Sequence, residues 1–145
     1  MKNSKKILNV LHVSIIGTDI SETASQFERS VVWDFHKTKK EWINSCDFVY
    51  SNSLDQSYKP KVALTTWLRQ LKLNGLLFLE YGIDHGPSGA GEMDPFGCKP
   101  EYLPYLLGEW FPHLITIKII RSFVYKADKT KNPIWVFVVK KIKLI

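Results

Sequence analysis

Three polar residues able to hold a hydroxyl- or amine-bearing ligand recur along this chain: Asp19 in IIGTDIS, Asp34 in VVWDFH and Asn52 in DFVYSNSLDQS. An ionised carboxylate is purely an acceptor and takes two hydrogen bonds at once, whereas the amide of Asn52 and the hydroxyl of Ser53 both accept and donate. His85, in LEYGIDHG, carries an imidazole that titrates near neutrality and suits proton transfer from a hydroxyl or amine. Each residue also has a plainer reading. Asp19 suits the cap of a helix starting near Ser21, with Glu22 in its first turn. Asp34 suits a turn after a strand, Asn52 to Gln56 a polar turn, and His85 an exposed side chain in a loop. Glu80, Asp84, Glu92 and Asp94 surround His85 in sequence but lack defined ligand spacing, so no metal is expected there. Cys46 and Cys98 lie far apart, without a CxxC or Cys/His pattern, which points to neither a disulfide framework nor a zinc site.

These residues need strands behind them, and the strand signals are short apolar, β-branched runs bounded by turn chemistry. They cover His12 to Gly17, Ser30 to Trp33, Asp47 to Ser51, Leu76 to Tyr81, Leu114 to Phe123 and Pro133 to Lys140. The first four read as continuous apolar runs, the pattern of parallel strands buried on both faces. From Lys61 to Leu71, the residues Leu64, Trp67, Leu68 and Leu71 recur at helical spacing, with Asn74-Gly75 as the stop. A second helix is expected over Pro100 to Trp110, with Glu101 in its first turn and Pro104 close to its start. Gly82 to Lys99 is too rich in Gly and Pro for helix or strand and reads as a long loop of the kind that carries function. Tyr125 to Asn132 is too short for a crossover helix, so the last two strands must run antiparallel. Asp19, Asp34 and Asn52 then fall at the carboxyl ends of three successive strands, where open α/β sheets bind their ligands.

Composition narrows the class. At 145 residues, 45% of them hydrophobic and 13% aromatic, the chain can bury one core and reads as a single domain. Its +6 formal charge is spread over small Lys clusters along the chain, which suits solvated turns better than a nucleic-acid face. No apolar run approaches a membrane span. Met1 to Val13 has a basic flank before ILNVLHV, but Asn9 and His12 interrupt it and no small-residue cleavage site follows, so a cytoplasmic protein is expected.

GTDIS, the WDFH turn, DFVYSNSLDQS and LKLNGLLFLE, in this order and followed by a hairpin, resemble the class I S-adenosylmethionine-dependent methyltransferases. The likeness runs from about His12 to the C-terminus. It implies a Rossmann-like α/β sheet, mostly parallel, closed by a C-terminal antiparallel hairpin, with S-adenosylmethionine as cofactor. It implies that Asp19, beside Ile20, holds the ribose hydroxyls, and that Asp34 accepts from the adenine amine while Phe35 frames the ring. Asn52, Ser53 and Leu54 would lie near the reacting methyl, and His85 is the candidate base.

In that family a strand, a Gly-rich turn and a helix come first, and nothing here matches them. Lys5 to Leu11 reads as the tail of that helix, so the sequence resembles an N-terminally truncated member, with two inner strands either unpaired or pairing directly. Self-association through that incomplete sheet is then expected. The leading function is methyl transfer to a small-molecule or glycan-like acceptor. The alternative is a non-catalytic remnant or interaction domain, and a nucleic-acid-binding module rests on charge alone.

Overall fold

The structure, a computed structural model, describes residues 13–125 and 131–145. The helix tail over Lys5 to Leu11 and the middle of the hairpin connection lie outside the described residues. Contacts divide the chain into two compact units, Met1–Phe35 and His36–Ile145.

In the first unit, β1 (Gly17–Asp19) and β2 (Ser30–Val32) pair in parallel, from Gly17 opposite Ser30 to Asp19 opposite Val32. A 3-10 turn, Glu22–Gln26, joins them where a helix was expected, and the Ser21 hydroxyl caps it by accepting from the Thr23 N–H. The first strand differs from its sequence expectation: it begins at Gly17 instead of spanning His12 to Gly17, and it is exposed, as are Ile15 and Ile16 before it. Two strands of three residues and one short turn offer no layers to cover both faces of a strand. Among the described residues of this unit only Ala24 is buried.

The second unit carries the core. Its elements are β3 (Cys46–Ser51), α1 (Pro60–Gln70), β4 (Leu71–Gly82), α2 (Leu103–Trp110), β5 (Ile115–Tyr125) and β6 (Lys131–Lys141). The sheet order is β3-β4-β6-β5. β3 and β4 are parallel, while β6 is antiparallel to both β4 and β5. Three strands therefore run one way and one the other, with the expected closing hairpin. β3 and β4 are joined by α1, as a parallel pair requires.

Pro60 opens α1, where its missing N–H costs nothing, and Leu64, Trp67 and Leu68 are its buried face. Leu71 does not extend the helix: its backbone is extended and it starts β4. Asn74 is left-handed, with φ 66°, yet it lies inside β4 instead of ending α1. The register opens there, since Cys46 pairs with Leu71 but Phe48 with Leu76. Gly75 fills the crowded point of this bulge; a Cβ would sit 2.9 Å from the Lys72 carbonyl oxygen and 3.2 Å from that of Asp47. The turn chemistry of Asn-Gly serves a bulge here. In α2, Pro104 lies in the first turn as expected, but the capping position is Tyr102 and no side chain caps it, so Glu101 does not.

Leu77, Leu79 and Tyr81 of β4 are fully buried, along with Phe137 and Val139 of β6, Leu64 and Leu68 of α1, and Leu103 and Leu107 of α2. Each such side chain contributes about 1.5–3 kcal/mol, so the stability of the chain resides in this unit. β3 was expected to be buried on both faces. Among the described residues β4 is its one strand partner, and Phe48 and Tyr50 are exposed. Lys141 is fully buried and donates to Asn44 Oδ1 at 2.8 Å and to the Leu71 carbonyl at 2.7 Å; burial pushes its ammonium pKa down. Among the described residues no helix is long and apolar enough to cross a membrane.

Candidate functional site

Because β1 and β2 are parallel, their carboxyl ends share one edge, which places Asp19 at the last position of β1 and Asp34 two residues beyond β2. Asp19 is exposed, and its Oδ1 accepts the Ser21 N–H at 2.8 Å. Asp19 is thus not the cap, a role Ser21 takes, but it holds the capping residue through one oxygen. Oδ2 has no partner among the described residues and remains available to a second donor. Ile20 is 75% exposed, a bare aliphatic surface beside the carboxylate. Asp34 and Phe35 are half-buried.

In the second unit the carboxyl ends of β3 and β4 likewise share an edge. Asn52 and Ser53 follow β3, and the Ser53 hydroxyl donates to Asn52 Oδ1 at 3.1 Å. Leu54 is fully buried, main chain included, so contrary to the sequence expectation it offers no surface to a ligand. The next residue, Asp55, is more than nine-tenths buried. Across from it, β4 delivers Glu80, Tyr81 and Gly82 and turns through a 3-10 segment, Ile83–His85. His85 Nδ1 stands 3.0 Å from Asp55 Oδ2. Yet neither Nδ1 nor Asp55 Oδ1 has a hydrogen-bond partner among the described residues.

The loop from Gly82 to Lys99 folds back over this pair. The Phe96 N–H donates to the Asp55 carbonyl at 2.9 Å and the Cys98 N–H to the His85 carbonyl at 3.0 Å. The Tyr81 hydroxyl also donates to the His85 carbonyl, at 3.0 Å. Burial pushes the Tyr81 hydroxyl pKa far up and raises that of the Cys98 thiol, with the Glu101 charge adding to it. Neither group is then a nucleophile at neutral pH.

Two clefts meet at His85. One, of about 140 Å³, is lined by Asp55, Asp84, His85, Asp94 and Phe96 among others. The other, of about 170 Å³, is lined by Asn52, Glu80, Gly82, Asp84, His85 and Asn132 among others. Glu80 Oε2 accepts from the Tyr50 hydroxyl at 3.0 Å, and Asp84 Oδ2 from the Asn132 amide at 2.9 Å. Asn52 and His85, read separately in the sequence, are thus brought to one cleft, while Asp19, Ile20, Asp34 and Phe35 lie in the other unit. Asp55 is the residue that sequence reasoning passed over: nothing in DFVYSNSLDQS marks it as the partner of a histidine thirty positions later.

Comparison with solved structures follows this geometry. A SAM-dependent methyltransferase from Methanosarcina mazei matches at TM-score 0.63 and 16% identity, covering 90% of this chain and 82% of that one. The fold is that of the class I S-adenosylmethionine-dependent methyltransferases. The 1,6-didemethyltoxoflavin N1-methyltransferase of Burkholderia thailandensis, holding its namesake compound and S-adenosylhomocysteine, matches at TM-score 0.67 and 11% identity, over 98% of this chain and 67% of that one. The cyclase SpnF matches at TM-score 0.66 and 13% identity, over 97% and 70%. No protein-family model and no curated protein matches the sequence. A methyltransferase fold that also serves a cyclase fixes where a ligand binds, at the carboxyl edge, but not what is done to it.

Proposed function

We propose that this chain is an S-adenosylmethionine-dependent methyltransferase that acts on a small-molecule or glycan-like acceptor. The observation that supports it most is that, within a methyltransferase fold, each unit carries ligand-competent groups at the carboxyl edge of its own parallel strand pair. Asp19 fits the ribose of the cofactor, since Oδ2 is left over once Oδ1 has accepted the Ser21 N–H. Exposed Ile20 fits an apolar ring face. Asp34 accepts from the adenine amine and Phe35 frames the base, while Asn52 and Ser53 orient the reacting methyl. When bound, S-adenosylmethionine supplies an electrophilic methyl; the protein adds position and a proton acceptor. His85 is that acceptor.

The competing reading is a non-catalytic domain that keeps the fold, since a methyltransferase fold by itself fixes no reaction. Calorimetric titration with S-adenosylhomocysteine separates the two. The proposal expects saturable one-site binding to the purified chain. A folded chain that takes up no S-adenosylhomocysteine points to the non-catalytic domain.

A further inference from the structure

We infer that Asp55 sets the tautomer of His85 so that Nε2 is the bare proton acceptor facing an acidic cleft, and that the acceptor entering this cleft is an amine. The inference rests on the methyltransferase reading for its reaction, but its geometry stands by itself.

The His85 ring is positioned from several directions. Its main-chain carbonyl is held by the Cys98 N–H and the Tyr81 hydroxyl, and the Asp55 carbonyl by the Phe96 N–H. The Tyr81 ring packs against it with centroids 5.0 Å apart. Gly82 makes room on the other side, since a Cβ there would meet His85 Cδ2 at 3.2 Å and Nε2 at 3.3 Å. Nδ1 is therefore turned toward Asp55 and Nε2 toward Gly82, which lines the second cleft. Nε2 has no protein partner among the described residues.

The pair is nonetheless left unfinished. Asp55 Oδ1 and His85 Nδ1 are buried and unsatisfied, although Nδ1 and Oδ2 are only 3.0 Å apart. Burying two polar atoms without a bond costs free energy, and in a native structure such a cost calls for an explanation. A small ring rotation aligns Nδ1–H with the carboxylate, the kind of tightening that catalytic hydrogen bonds undergo when a ligand arrives. Once the Nδ1 proton is committed to Asp55, the lone pair of the neutral ring is on Nε2.

The cleft walls indicate the acceptor. Glu80 and Asp84 line the cleft beside Nε2, and Asp55, Asp84 and Asp94 the adjoining one; among the described residues no Lys or Arg lines either. In a chain of net charge +6 this local negative field selects for a cation and against a carboxylate or phosphate. No three His, Cys, Asp or Glu side chains among the described residues stand close enough to hold a metal ion. In the reaction the bound ammonium first gives a proton to Nε2, leaving a free amine and an imidazolium stabilised by Asp55. The amine then attacks the sulfonium methyl: the N–C bond forms, the C–S bond breaks, the sulfur keeps the bonding pair, and the product leaves as the methylated ammonium. His85 is the catalytic residue and Asp55 a positioning residue.

The test uses the full chain with ¹⁵N-labelled histidine. Long-range ¹H–¹⁵N correlation reads which ring nitrogen carries the proton in wild type, in Asp55→Ala and in Asp55→Asn, with the amide spectrum reporting that each is folded. We expect the Nδ1–H form in wild type and a shift to Nε2–H in both variants. A wild-type ring protonated on Nε2, or a tautomer unmoved by either substitution, overturns the dyad. Benzylamine and benzoate, similar in shape and opposite in charge, are then titrated into wild type. Shifts of the His85 ring with benzylamine alone support the amine assignment, while equal shifts with benzoate, or none with either, overturn it. Neither readout needs S-adenosylmethionine, so a failure to bind S-adenosylhomocysteine would count against the methyltransferase reading alone.

Discussion

Replacing Asp19 by Ala removes two things at once, and the structure allows them to be separated. Oδ1 accepts the Ser21 N–H at 2.8 Å, and Ser21 in turn caps the Glu22–Gln26 turn. Losing the bond to the Ser21 N–H costs about 1 kcal/mol of local stability. Oδ2 is left for the ribose, so one charge-assisted hydrogen bond is lost on binding, not two. At about 1.5–3 kcal/mol for a bond to a charged acceptor, S-adenosylhomocysteine should bind roughly 10- to 150-fold more weakly. Ser21→Ala is the control: it disturbs the turn and leaves the carboxylate, and its binding should fall by less than about threefold. Asp19→Asn keeps an oxygen for the Ser21 N–H but loses the charge, so it should resemble Asp19→Ala in affinity and wild type in thermal stability. Calorimetry on the four proteins, with melting curves alongside, gives all the numbers. Equal loss in Ser21→Ala and Asp19→Ala would refute the reasoning, because the carboxylate would then act only through the turn.

Two further outcomes concern the second unit. Gly75→Ala places a methyl within 2.9 Å of the Lys72 carbonyl oxygen and 3.2 Å of that of Asp47; overpacking a buried bulge of this kind costs about 1–3 kcal/mol and should lower the melting temperature by several degrees. Tyr81 has its folded-state pKa raised by burial above the ordinary 10.0, so its contribution is fully present below pH 10 and is lost as pH rises above that value. Tyr81→Phe should therefore cost about 1 kcal/mol at neutral pH, from the lost bond to the His85 carbonyl, and flatten the alkaline part of a urea-stability profile.

Much of the second unit was legible because its periodicities are local. Leu64, Trp67 and Leu68 mark a buried helix face without reference to anything else, and the short connection after Tyr125 fixes an antiparallel pair by geometry alone. What depended on neighbours was misread. Continuous apolar runs at His12 to Gly17 and Asp47 to Ser51 implied strands covered on both faces, but Ile15 and Ile16 before β1 and Phe48 and Tyr50 of β3 are exposed, because covering a face depends on elements distant in sequence. Asn74-Gly75 showed its left-handed preference correctly and its place wrongly, since a helix end and a strand bulge call for the same residues. At the site, Asp19, Asp34, Asn52 and His85 were visible as residue types at strand ends. The contact of Asp55 with His85 was not, because it is made by a loop that returns from Phe96 to Cys98.

The central claim, that these strand ends hold an adenosyl ligand, is tested most directly by titrating ¹⁵N-labelled protein with S-adenosylhomocysteine and following the backbone amides. The account predicts saturable shifts at Thr18 to Ser21, at Asp34 and Phe35 and at Asn52 and Ser53, with β5 and β6 unmoved. Shifts confined to other regions, or no shifts at all in a folded chain, would contradict it.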